Sequence, residues 1–285
     1  MHPFLFRLPA LGVGLLLLGL RIHAAAPAVP IAPAPGIPAL LQDAMKNSAM
    51  HEGHWAFTQT DLVDVKVGKE TKQQQTVFRF DPSKPYAEQF TPQLVEGHPP
   101  TAADLKKYRQ KGEDRAKDLE KQQKEKERLA LKNAGKLEPE GEAELRKYVD
   151  VDHISLLAET ATEATYAIPM RKGLKAGPLK LEKLELVIRI STADRVLTGL
   201  TVRLLDNVRL MLVANVKSGE FSADFVRPDP AHGPIMARLQ GAADASFLFK
   251  KFTADVNTTR KDFAWVTPYD ERFKVQIGPL RAIGF

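Results

Sequence analysis

No cysteine occurs among the 285 residues. That excludes structural disulfides, thiol catalysis, cysteine-ligated zinc and iron–sulfur clusters. It equally excludes a lipid-modified cysteine at the start of a processed chain. Long apolar runs are missing beyond the N-terminal segment, so no later stretch is long enough to cross a bilayer as a helix. The sequence has no G-x-S-x-G nucleophile elbow, no phosphate-cradling P-loop and no dinucleotide fingerprint. Charge is close to balanced, with a net +6 and charged residues at 27%. This mild basic excess suits anionic lipid headgroups or acidic polysaccharide, and it is also ordinary for solubility. The apolar fraction of 44% is that of a globular chain.

The N-terminus has the anatomy of an export signal. Arg7 supplies a positive start, and Leu8 to Leu20 form a short apolar stretch. Ala24-Ala25-Ala26-Pro27-Ala28 then offers small residues at peptidase positions, and cleavage is expected after Ala28. The predicted location is the periplasm, with no stable membrane span after cleavage and nucleic acid excluded as a partner. Residues 29–38 read as a Pro/Ala-rich extended linker. Residues 39–285 are expected to form a single antiparallel-sheet domain.

Within that domain a short helix is expected near Pro38 to Met50, with Leu40, Leu41, Ala44 and Met45 on one side. Trp55 and Phe57 alternate with Ala56 and Thr58, and Phe78 and Phe80 with Val77 and Arg79. Val67-Gly68-Lys69-Glu70 joins them as a turn. A third strand is expected over about Gln89 to Val95. Residues 101–134 change character, being rich in Lys, Glu, Arg, Gln and Ala, which favour helix. Thr101 is the expected N-cap, with Asp104 at capping-box distance. Leu105, Tyr108 and Leu119 give a narrow apolar stripe, and Gly135 closes the helix.

From Asp152 onward, strand patterns follow one another. Strands are expected over Ile154 to Glu159 and Thr162 to Pro169. Leu184, Leu186, Ile188 and Ile190 alternate with Glu185, Val187 and Arg189, and Leu200 to Leu204 behave alike. Val208 to Val216 reads as one strand, turned at Ser218-Gly219-Glu220 into Phe221 to Phe225. Ala237 to Phe249 is the longest alternation, with small Gly241, Ala243 and Ala245 permitting close approach of a helix or ligand. Phe252, Ala254 and Val256 continue the strand or form a helical link. Phe263 and Trp265, then Phe273, Val275 and Ile277, are expected to finish the sheet. Such period-two patterning with short turns marks an antiparallel sheet with one buried face.

His51-Glu52-Gly53-His54 is the closest histidine pair. A zinc-protease helix needs histidines four apart, whereas these are three apart with glycine between. Structural histidines are the better reading, and no metal or cofactor is expected. Asp150, Asp152 and His153 form a polar turn with no nucleophile nearby.

Phe80-Asp81-Pro82-Ser83-Lys84-Pro85, Phe90 to Gly97, and Pro99-Pro100-Thr101 before the Lys-rich helix resemble a group of exported proteins of Gram-negative bacteria with no assigned activity. The similarity spans about residues 54 to 130. An export signal followed by many amphipathic antiparallel strands also resembles, in architecture, the LolA/LolB-like periplasmic lipoprotein carriers. That resemblance implies a large curved half-barrel sheet, which together with the long charged helix and the short N-terminal helix read from the residues makes an α+β fold; the charged helix departs from the plain carrier pattern. The resemblance implies a non-enzymatic protein holding a lipid or acyl chain on the concave face. From alternation alone, Trp55, Phe57, Phe247 and Phe249 are the candidate wall residues. The alternative expectation is an envelope scaffold that meets a protein partner through helix 101–134.

Overall fold

Most of the hydrophobic alternation in the sequence becomes strand. The computed structural model describes residues 37–48, 51–132, 147–176, 179–210, 214–247 and 250–273. The expected signal segment, most of the expected linker, Gly135, Phe249, Val275 and Ile277 lie outside the described residues. Strands pair in the order β3 (Phe90–Leu94), β2 (Glu70–Phe80), β1 (Trp55–Val67), β13 (Lys250–Trp265), β12 (Ile235–Phe247), β11 (Ala214–Val226), β9 (Leu197–Leu204), β8 (Leu184–Ser191), β5 (Glu163–Pro169) and β4 (Ser155–Glu159), with β10 (Val208–Leu210) added on β11, and among the described residues the path does not close on itself. The six strand pairs of this sheet whose registers are defined are antiparallel. Contacts divide the chain into two compact units.

Unit 1 takes in the described residues among 1–50, 138–222 and 243–253. It contains helix α1 (Ala39–Asn47) and strands β4 (Ser155–Glu159), β5 (Glu163–Pro169), β8 (Leu184–Ser191), β9 (Leu197–Leu204) and β10 (Val208–Leu210). A small separate hairpin pairs β6 (Lys175–Ala176) with β7 (Leu179–Lys180). The register of β5 on β8 sets Ala164 opposite Ile190 and Ile168 opposite Leu186. These residues share one core with Leu41 and Ala44 of α1, and with Val149, Val151 and Tyr166. Ile37, within the expected linker, is buried in the same core. Met45, expected on the inner side of α1, is instead 38% exposed, because the buried stripe is Leu41 and Ala44 alone. Each fully buried Leu or Ile contributes about 1.5–3 kcal/mol, an upper bound against a compact unfolded chain. Polar contacts fix α1 as well: Arg195 pairs with Asp43 at 2.6 Å, and the Leu197 N–H donates to Ser48 Oγ at 2.7 Å.

Unit 2 comprises residues 51–137, 223–242 and 254–285. It holds β1 (Trp55–Val67), β2 (Glu70–Phe80), β3 (Phe90–Leu94) and helix α2 (Ala102–Lys132). The unit boundaries fall inside β11 (Ala214–Val226), β12 (Ile235–Phe247) and β13 (Lys250–Trp265). The β1–β2 hairpin turns at Gly68, whose φ of 64° is the left-handed region that glycine adopts at little cost. Capping begins α2 as its sequence requires. The Thr101 N–H and hydroxyl donate to Asp104 Oδ2 at 2.9 and 2.6 Å, and the Asp104 N–H donates to Thr101 Oγ1 at 3.2 Å. These hydrogen bonds hold the exposed Asp104 carboxyl below its usual pKa.

Three expected features are corrected. Ser218-Gly219-Glu220 is not a turn but lies within β11, while Val208 to Leu210 is a separate strand paired back on β11. Small polar residues and glycine signal a turn only when no ladder partner holds them extended. Phe252 to Val256 takes the first of its two expected forms, strand, within β13. Phe273 closes a 3-10 turn, Asp270–Phe273, rather than opening a strand.

Candidate functional site

The expected wall residues Trp55 and Phe57 are placed by β1, with Phe57 directly opposite Phe80 of β2. They are 2% and 4% exposed and belong to one aromatic core with Phe78, Phe80, Tyr108 and Ile235. Phe57 and Phe80 rings meet at 5.2 Å, and Phe80 and Phe90 at 4.9 Å. Both residues are therefore buried among aromatic side chains. Phe247 ends β12 in unit 1, and its side chain lies outside the described residues, as does all of Phe249.

Helix α2 seals this aromatic face with an unusual seam. Leu105, expected on the inner stripe, is 49% exposed. Its place is taken by Tyr108, Lys111, Gly112 and Arg115. Lys111 Nζ stands 4.5 Å from the centres of the Phe78 and Phe90 rings, and Arg115 Cζ stands 5.2 Å from Phe80. Lys111 keeps access to solvent, yet protein surrounds its ammonium closely enough that desolvation pulls its pKa down. Long basic stems cover apolar rings while their heads reach water, and the ring faces attract the cation. Arg115 also donates to Oε1 of Gln89 at 2.9 Å. Gln89 is 1% exposed and donates in turn to the Lys84 carbonyl at 3.0 Å. Gly112 permits the close approach: a Cβ there would lie 1.8 Å from the Tyr86 carbonyl oxygen.

A polar network closes the other side of Phe57. Arg260 stacks over Phe57 at 4.3 Å, donates through Nε to Gln59 Oε1 at 2.8 Å, and pairs with Glu52. Gln59 and the Thr258 hydroxyl donate to Asp61, at 2.9 and 2.6 Å. Sequence reasoning missed this network, because its members are separated by about two hundred residues and meet only through β13.

The histidine motif folds as a 3-10 turn, Glu52–His54, leading into β1. The Val266 N–H donates to the His54 carbonyl at 2.8 Å, which brings the end of β13 beside it. Trp265 then stacks on His54 at 4.8 Å and on His232 at 3.5 Å, with planes 13° and 3° apart. His51, His54, His232 and Trp265 border a pocket of about 240 Å³ together with Ala231 and Gly233. Glu271 lies 3.1 Å from His54 Nε2, and Asp229 lies 3.6 Å from His232 Nε2. The imidazole faces are used in stacking, and no group of three or more His, Asp or Glu residues among those described is arranged to hold a metal ion. Trp55 Nε1 is buried without a hydrogen-bond partner and meets Trp265 edge-on at 5.2 Å. This pocket is the polar end of the aromatic core, with no nucleophile on its rim.

Asp150 and His153 do come together, at 2.9 Å, and that hydrogen bond raises the pKa of His153. They are an exposed pair across one turn, and the contact orders the loop before β4. Beyond Arg115 the surface of α2 changes. Lys117 pairs with Asp114, Lys124 with Glu120 and Arg128 with Glu125, all exposed and all within the helix. Across the whole helix eleven Lys and Arg stand against seven Asp and Glu, so α2 carries much of the net positive charge. No helix among the described residues is long and apolar enough to cross a membrane.

No protein-family model matches the chain, and neither a curated protein nor a solved structure is significantly similar to it.

Proposed function

We propose that this is an exported, non-enzymatic protein of the bacterial envelope that captures an acidic partner protein on the outer half of α2. The observation that carries it is the division of labour along that helix. Residues Tyr108 to Arg115 dock on the sheet, while Lys117 to Arg128 present an exposed, densely charged surface of five basic and four acidic side chains, several of them paired within the helix. Export rests on the Arg7, Leu8–Leu20 and Ala24–Ala28 pattern, with cleavage near Ala28 into the periplasm. A basic helix face attracts acidic partners by long-range electrostatics and speeds their encounter.

The carrier function is the second reading. The open antiparallel sheet, with α2 packed on the aromatic face of unit 2, is compatible with a curved, LolA-like half-barrel. A specific feature favours it: α2 seals the Phe78, Phe80 and Phe90 rings mainly with cationic stems, not with aliphatic side chains. Such a seam is cheaper to open than a leucine interface, and each methylene of an acyl chain buried there would gain about 0.8 kcal/mol.

One experiment separates the two. The processed chain is purified gently, examined by native mass spectrometry and extracted for lipid. In parallel it is used to capture envelope proteins at low and high salt. Salt-sensitive capture that is lost in the triple variant Lys117→Glu, Lys121→Glu, Arg128→Glu supports the interaction function. Capture unchanged in that variant overturns it, and a stoichiometric bound lipid establishes the carrier.

A further inference from the structure

Beyond its docked turns, α2 sorts its charge by face. At about 100° per residue, Lys117, Lys121, Lys124 and Arg128 fall within an arc of about 60°. That ridge lies about 160° round the helix from the seam of Tyr108, Lys111, Gly112 and Arg115, so it points away from the sheet. Acidic residues flank it, Asp114, Asp118 and Glu125 on one side and Glu113 and Glu120 on the other. The side chains of Lys117, Lys124 and Arg128 are 64%, 71% and 63% exposed. Their pairs with Asp114, Glu120 and Glu125 are sideways contacts at the surface, which hold weakly and exchange readily. Lys121 is exposed and has no acidic partner among the described residues.

The ridge residues are four, three and four positions apart, so their charges rise by about 6.0, 4.5 and 6.0 Å along the axis. Another helix with acidic residues at the same intervals repeats those steps, in either direction, because the order of intervals is the same read backwards. An extended chain advances about 6.8 Å for every second residue, so four charges on one of its faces span about 20 Å against the ridge's 16.5 Å or so. Resting on the reading of α2 as a surface for an acidic protein, we propose that the partner's contact element is itself an α-helix. It carries Asp or Glu at intervals of four, three and four, and it lies along the Lys117–Arg128 ridge. Charged residues at such intervals set partner choice between paired helices.

Synthetic peptides test the register on the purified full chain. One alanine-rich helical peptide of about 20 residues carries four glutamates at intervals of four, three and four. A second has the same composition, with its glutamates spread round the helix. Binding is read by fluorescence anisotropy at low salt. The first peptide should bind about tenfold more tightly than the second, since four weak surface pairs act together only in register. Lys121→Ala, which keeps helix propensity, should weaken the first peptide and leave the second unchanged. The triple variant Lys117→Glu, Lys121→Glu, Arg128→Glu should reject the first peptide and accept its lysine counterpart, with an unchanged circular dichroism spectrum. Equal affinity for the two peptides, or binding of neither, overturns the helical partner even where salt-sensitive capture of envelope proteins persists; absence of that capture as well removes the acidic-partner reading itself. Lys121-dependent binding to phosphatidylglycerol vesicles, with no preference between the peptides, overturns the proposal in favour of a lipid surface.

Discussion

Replacing Gly112 by alanine tests the docking of α2 because two effects of opposite sign compete there. In a solvated helix, glycine to alanine stabilises by about 0.8–1 kcal/mol. In this structure the new Cβ would lie 1.8 Å from the Tyr86 carbonyl oxygen and 2.7 Å from its carbon. Both are backbone atoms, so no side chain can swing away. Ordinary contact at 3.4 Å requires the helix to lift by about 1.6 Å. That displacement stretches the 2.9 Å Arg115–Gln89 hydrogen bond past its limit and leaves the buried Gln89 oxygen unpaired. An orphaned buried acceptor costs about 1–3 kcal/mol, and overpacking by a methyl costs a similar amount. The losses exceed the propensity gain, and the net expectation is destabilisation of about 1–3 kcal/mol. Both tryptophans, Trp55 and Trp265, belong to unit 2, so their fluorescence through urea unfolding reports on the unit that contains Gly112. The midpoint should fall, and trypsin should cut α2 faster. A midpoint that rises, by the full propensity gain, would mean that α2 is solvated over Gly112 and would refute its docking on residues 86–88.

Other expectations follow from single contacts. Ile168, fully buried between α1 and the sheet of unit 1, should cost about 2–5 kcal/mol as alanine and about 0.5–1.5 kcal/mol as valine; equal losses in thermal melts would contradict its packing. Lys111→Met keeps the stem over Phe78 and Phe90 but removes the desolvated charge. Because burial lowers the lysine's pKa in the folded state, the unfolded chain binds more protons, and stability should climb as pH rises from the folded toward the unfolded value of about 10.5. Lys111→Met should lose that alkaline climb, and a climb of equal size in the variant would assign it elsewhere. Asp104 has a carboxyl depressed chiefly by the Thr101 hydroxyl, so its stabilising effect is present above its usual value of 3.8 and fades as pH falls below it. In Thr101→Ala the acid dependence of helicity should weaken, and an unchanged acid profile would remove the capping box from the account of α2.

How far the sequence speaks depends on the range of the interaction. Thr101 and Asp104 are three residues apart, and the cap they form is local chemistry that any context allows. The alternation from Leu184 to Ile190 likewise becomes β8, with Leu184, Leu186 and Ile190 buried, since a strand with one wet face admits no other period. Gly68 made its turn for the same local reason. Ser218-Gly219-Glu220 shows the limit of local chemistry, because ladder partners held that turn-like tripeptide straight.

What tertiary structure alone decided lies in the contacts between distant segments. Whether Trp55 and Phe57 line a cavity or fill a core could not be read from alternation, which states that a residue faces inward but not what covers it. Arg260, Phe80, Trp265 and His232 cover those two rings, while helix α2 covers Phe78, Phe80 and Phe90 with Lys111 and Arg115 where an apolar stripe had pointed to Leu105. A basic stem and a leucine are equally able to cover an aromatic ring, and only the angle at which the helix lands, set by Gly112 against Tyr86, selects between them. The grouping of His51, His54, His232 and Trp265 has the same origin. Their separations of up to about two hundred residues vanish only when β13 pairs beside β1, a register fixed by burial across the sheet and by no short-range signal in the chain.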